Sequence, residues 1–218
     1  MAHLIKSYSD VTYTALAGRL ADAHRFLVAQ AEHSLRSLES NPERWGTLLK
    51  RSRVNLDLPD APEAIDKPSE RLVEVINMTA TLERLLDGLG WFATQPAFAL
   101  LKVIECHPST SSSTAGNDLV LGPDARSITV RCEVTDVASS SAGQNGKEKK
   151  DLASLGCSTS VPSDGVRRFV CTSAEFARAL TSSIRKWQRC HYRYHVFDVG
   201  PSDTRLLEIV PPPRGQAA

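Results

Sequence analysis

Two carboxylates, Asp118 and Glu133, stand in the stretch GNDLVLGPDARSITVRCEVTDV (116–137), in a setting suited to metal chemistry. Asp118 opens a short apolar run, turn residues follow, and a strongly alternating segment then carries Glu133 out of its middle. A magnesium-type ion takes a few hard oxygen ligands and keeps room for water and a phosphate oxygen. Two neighbouring strands of a hairpin can supply such ligands, one acid at the start of the first strand and one from the middle of the next. A lysine two residues after the second acid would share its face and could orient or activate an attacking water. That position is Thr135, while Lys147, Lys149 and Lys150 follow close behind. The plain alternative is that Asp beside Asn and Gly is a common turn residue, and that Glu133 faces outward on a half-exposed strand. Asp136 reads as a third ligand or as the cap of the next turn, and the cap is preferred.

A second candidate is the basic and aromatic segment SSIRKWQRCHYRYH (182–195). Arg185, Lys186, Arg189 and Arg193 interleave with Trp187, Tyr192 and Tyr194, a mixture suited to phosphate contact and base stacking. The competing reading is a helix with a solvated basic face and Trp187 turned inward. His107 heads a serine-rich loop where it could hold a phosphate, although a loop histidine is more often merely exposed. Glu105 would sit on a helix if 97–106 were helical. No Gly-rich phosphate loop, GxSxG, HExxH or dinucleotide fingerprint is present. Cys106 beside His107 is adjacency in sequence, not a catalytic dyad.

The elements that must position these residues divide the chain in two. From Asp10 to about Leu58 apolar residues recur at three- and four-residue steps, Leu16, Leu20, Leu27, Ala31, Leu35 and Leu38 among them, and predict helix with Asp10 as N-cap. A break at SNPERW (40–45) begins a second helix near Pro42. A proline-rich acidic connection (56–70) leads to another helix bearing Leu72, Val75, Ile76, Leu82, Leu85, Leu86 and Leu89, predicted to end near Gly88 and Gly90. The period then changes to two. DLVL and RSITVRCEVTDV read as strands, with Ile128, Val130, Cys132 and Val134 on one face and Thr129, Arg131, Glu133 and Thr135 on the other. KKDLASLGC reads as a short helix stopped by Gly156. RRFVCTS reads as a strand feeding a helix capped by Ser173, and YRYHVFDVG and RLLEIVP as two last strands. The expectation is an α+β fold: an N-terminal helical region, 1–66, then an α/β domain, 67–218, with a mixed central sheet flanked by helices.

Bulk properties limit the partners. With 26 Lys+Arg against 25 Asp+Glu in 218 residues, the chain gives no global electrostatic reason to bind a polyanion, so DNA contact would need a local basic patch. No apolar run approaches a membrane span, and MAHLIKSYSD has no signal-peptide core. Five widely spaced cysteines without a CxxC pair suggest neither a zinc knuckle nor a disulfide framework, so a reduced, cytoplasmic setting is expected.

The sequence of acid, hairpin, strand acid and following helix resembles the PD-(D/E)xK restriction-endonuclease-like nucleases. NDLVL matches the first motif with Asn117 in the usual proline's place, CEVTDV stands at the second, and GKEKKDLASL resembles the helix that follows. The resemblance covers roughly residues 79–211 and departs at Thr135, where the family carries lysine. It implies a restriction-endonuclease-like fold and a Mg2+- or Mn2+-dependent DNA endonuclease of a restriction or phage-defence system. Asp118 and Glu133 would be the metal ligands, a lysine from Lys147, Lys149 or Lys150 would assist the water, and Arg185, Lys186, Arg189 and Arg193 would hold DNA. The N-terminal helices would serve a protein partner or a homo-oligomer. The alternative is a catalytically inactive subunit of the same fold that binds a protein or nucleic-acid partner.

Overall fold

The computed structural model describes residues 5–39, 61–66, 71–108, 117–135, 147–157, 162, 164–178, 180–181 and 193–210. Seven strands form one mixed sheet: β1 Tyr8–Val11, β2 Lys102–Cys106, β3 Leu119–Gly122, β4 Val130–Thr135, β5 Arg167–Ser173, β6 Arg193–Asp198 and β7 Thr204–Val210, in the order β1-β2-β3-β4-β5-β7-β6. β4 and β5 run parallel and every other neighbouring pair is antiparallel. A parallel pair needs a crossover, and α3, Lys147–Ser154, lies in it.

Alternation along the strands sorts side chains onto two covered faces. One face carries Val130, Cys132 and Val134 of β4 with Phe169 and Cys171 of β5, all buried in the core cluster shared with α2, Leu72–Thr94. Five aromatic side chains close this layer, with Trp91 4.9 Å from Phe197 and Phe92 5.2 Å from Phe169 between ring centroids. The opposite face packs Val170, Leu207 and Ile209 against Leu152 and Leu155 of α3 and against Phe176 and Leu180 of a further helix that opens at 174. Ser173 caps that helix, its Oγ accepting the Phe176 N–H at 3.2 Å, as its sequence predicts. β4 is therefore covered on both sides. Glu133, expected to face outward on a half-exposed strand, is only 6% exposed, because the helices that bury it follow it in the chain.

Two boundaries differ from the sequence reading, and a segment that it leaves open between strand and helix, 97–106, is settled in part. Asp10 belongs to β1, at φ 51°, and Thr12 caps α1 (Tyr13–Glu39) instead, its Oγ1 accepting the Ala15 N–H at 3.2 Å. α2 runs through Gly88 and Gly90 to Thr94. Gly88 marks a close approach, not an end: a Cβ there would lie 3.2 Å from the Cys171 sulfur on β5. Residues 102–106 form strand β2, so Glu105 is on a strand and not on a helix.

The segment 1–66 contributes β1 to the sheet edge, and Ile5, Leu16, Leu20, Ala23, Leu27 and Ile65 to the same core cluster as Val134 and Phe169. The apolar stripe of α1 from Leu16 to Ala31 is thus buried within the fold. The helix expected from Pro42 lies outside the described residues. No described helix is long and apolar enough to cross a membrane. Cys106, Cys132, Cys157 and Cys171 are buried, and burial pushes the Cys157 thiol up to about 11.

Candidate active site

The corner forms where β3 and β4 part. Their ladder pairs Leu121 with Val130, Val120 with Arg131 and Leu119 with Cys132. Continued by one residue, this register sets Asp118 opposite Glu133. Backbone pairing stops there and the Val134 N–H donates instead to the Asp118 carboxylate, 2.7 Å from Oδ2. Asp118 stays fixed on its other side, its carbonyl accepting the His107 N–H at 2.9 Å. The acid at the head of the first strand thus replaces a missing rung of the sheet.

Glu133 is held from two elements. Asn117 Nδ2 donates to its Oε1 at 2.7 Å, and Ser154 Oγ, from the last turn of α3, donates to the same oxygen at 2.5 Å. One residue pair further along, Thr135 donates its hydroxyl hydrogen to Asp151 of α3. Asp118, Glu133 and Asp151 are 7%, 6% and 7% exposed, and Thr135 is fully buried. Each of these buried carboxylates depends on protein donors in a poorly hydrated region between the sheet and α3. Their field reaches the other face: burial first, then the Cys171 sulfur, Glu133 and Asp118, hold the Cys132 thiol well above its ordinary range.

Asp118 and Glu133 offer hard oxygens of the kind magnesium prefers, and two carboxylates leave most of an octahedral shell to water and phosphate, so the pair suits such an ion. Among the described residues no group of three or more His, Cys, Asp and Glu side chains is gathered to hold a metal. Lys147, Lys149 and Lys150 all lie on the opening turn of α3. Asp151 and Ser154, further along the same helix, are the two residues that reach β4.

Arg185, Lys186 and Arg189 lie outside the described residues, as does Asp136. Arg193 begins β6 opposite Val210. β5 and β7 stand between β6 and β4, which at strand spacing separates Arg193 from the corner by about 14 Å. His107 faces Glu105, Nε2 to Oε2 3.6 Å. The sequence reading did not single out Asp151, Ser154 or Arg131. Asp151 and Ser154 were recognisable only as an i, i+3 pair on a short helix, which any surface helix carries.

No family model, curated protein or solved structure matches the chain.

Proposed function

We propose that this protein is a metal-dependent phosphodiesterase acting on DNA, built on a restriction-endonuclease-like core. The observation that carries the reading is the buried pair Asp118 and Glu133 on adjacent strands, with Asp151 and Ser154 of α3 bonded to β4 beside them. Buried carboxylates cost stability unless they are satisfied, and such groups concentrate at functional sites. The hairpin β3-β4 followed by α3 supports the same reading, since acid, hairpin, strand acid and following helix are the order that carried the resemblance.

In this reading Asp118 and Glu133 hold the ion, Asn117 and Ser154 fix the Glu133 carboxylate, and the Val134 amide fixes Asp118. A bound Mg2+ or Mn2+ supplies charge stabilisation at the phosphate and a more acidic water. A lysine from the opening turn of α3, Lys147, Lys149 or Lys150, would orient a water against the phosphorus, the role left open by Thr135.

One observation favours a second reading, a non-cleaving subunit of the same fold. Thr135 occupies the lysine position and is bound to Asp151, so no lysine enters the corner from that position of β4. A plasmid-nicking assay in Mg2+ and Mn2+, run beside metal titration on the wild type, D118A and E133A, separates the two. Nicking and metal binding lost in both variants, with unchanged melting cooperativity, supports the nuclease. Metal-independent behaviour identical in all three proteins sinks the metal-site assignment and leaves the binding subunit.

A further inference from the structure

Arg131 lies on β4 two residues before Glu133, on the same sheet face, and is half-buried. Among the described residues its one hydrogen bond is to Asn117 Oδ1, at 3.4 Å, a long and weak contact. It makes no ion pair with a described residue. Asn117 is the residue that also grips Glu133, so the guanidinium is joined through one amide to the acidic corner.

Its neighbour across the parallel ladder is Arg168 of β5. Like charges directly opposite on one sheet face repel. Arg168, only 3% exposed, is fully occupied: it donates to Asp164 through two nitrogens at 2.7 and 3.0 Å, to the Leu155 carbonyl at 2.7 Å and to the Val166 carbonyl at 2.5 Å. Asp164 therefore answers Arg168 and not Arg131. On the other side Arg131 meets Val120, which offers no charge. A second guanidinium beside a neutralised one, loosely held and aimed along the face of an acidic corner, is suited to an anion from outside the chain.

We propose that Arg131 is the phosphate-holding cation of this corner, binding a non-bridging oxygen of a DNA phosphodiester beside Asp118 and Glu133. The forked planar donor matches phosphate geometry and is always charged. Its position before the strand acid supplies on one side the charge that Thr135 does not supply on the other. The inference rests on reading the corner as a site for DNA. It goes beyond that reading by naming the residue that grips the phosphate.

The test is binding of a short fluorescent DNA duplex in Ca2+, measured by anisotropy across a salt series, for the wild type, R131K and R131Q, with nicking in Mg2+ alongside. R131Q is expected to weaken binding about tenfold and to reduce the salt slope by about one, with R131K intermediate. Binding and salt slope of R131Q equal to those of the wild type overturn the proposal, even if the wild type nicks DNA. A wild type that binds without nicking, with R131Q impaired, removes the nuclease reading and keeps Arg131 as the phosphate contact. A wild type that neither binds nor nicks overturns both. Should R131Q fail to fold, R131K decides: loss of about threefold or more supports the role, and no change overturns it.

Discussion

Asn117 Nδ2 lies 2.7 Å from Glu133 Oε1, so the residue at the head of β3 fixes the carboxylate in the middle of β4. Its carbonyl oxygen meanwhile faces Arg131. An amide side chain is suited to this position because it donates to an acid and accepts from a base at once. Replacing Asn117 with Ala removes a donor from a buried carboxylate and is expected to lower stability by about 1–3 kcal/mol in urea unfolding. N117D keeps the shape but sets a third carboxylate against Glu133 and Asp118. Its deficit at neutral pH should exceed that of N117A and shrink as acid neutralises the new group. Equal deficits for both variants across pH would show that Asn117 acts only through packing.

Thr135 and Asp151 make the next test. T135V preserves volume but leaves a buried Asp151 oxygen without its hydroxyl donor, at a cost of about 1–3 kcal/mol. T135K restores the lysine at the family's position and sets an ammonium against Asp151. It is expected to raise the nicking rate in Mg2+ above that of the wild type. A double-mutant cycle with D151N measures the new pair, and an unpaired buried lysine should make T135K/D151N about 3 kcal/mol less stable than additivity gives. Additive effects would place the lysine outside reach of Asp151.

Asp164 gives a pH-dependent prediction. The Arg168 guanidinium bonded to it, helped by the Val166 backbone N–H, holds its carboxyl below the ordinary 3.8. A depressed folded value means that the ionised group stabilises the native state. That contribution is complete above about pH 4 and disappears as pH falls through the lowered value. The Asp164 side chain is 48% exposed, so solvent screening limits the effect to about 1 kcal/mol. Urea midpoints taken from pH 6 down to pH 2 should converge for the wild type and D164N at the acid end and separate above pH 4. Parallel curves would remove Asp164 from the acid response.

Much of this arrangement is readable from the chain. The period-two run through Val130, Cys132 and Val134 gives both the strand and its two faces, and the i, i+3, i+4 spacing of leucines gives α1 and α2. Other features depend on partners distant in sequence. β1 has only four residues, Tyr8–Val11, and no apolar alternation. It is a strand because β2, far along the chain, offers it an edge. Gly88 looks like a helix terminator and is instead the point where α2 meets Cys171. Glu133 looks solvent-facing because nothing local announces that Ser154 of α3 will close over it. Asp118 and Glu133 stand out by type and spacing, whereas Asp151 and the donors Asn117 and Ser154 are ordinary residues until the strands and helix converge.

The placing of β1 has a further consequence. Tyr8 pairs with Cys106 and Val11 with Val103, so the short N-terminal strand occupies hydrogen-bonding positions along β2 that would otherwise face solvent. A chain shortened past Val11 would present β2 as an open, largely apolar rim, an invitation to another molecule's strand. Residues 8–11 thus act as a self-supplied seal, replacing an open flank of the sheet by an edge only four residues long.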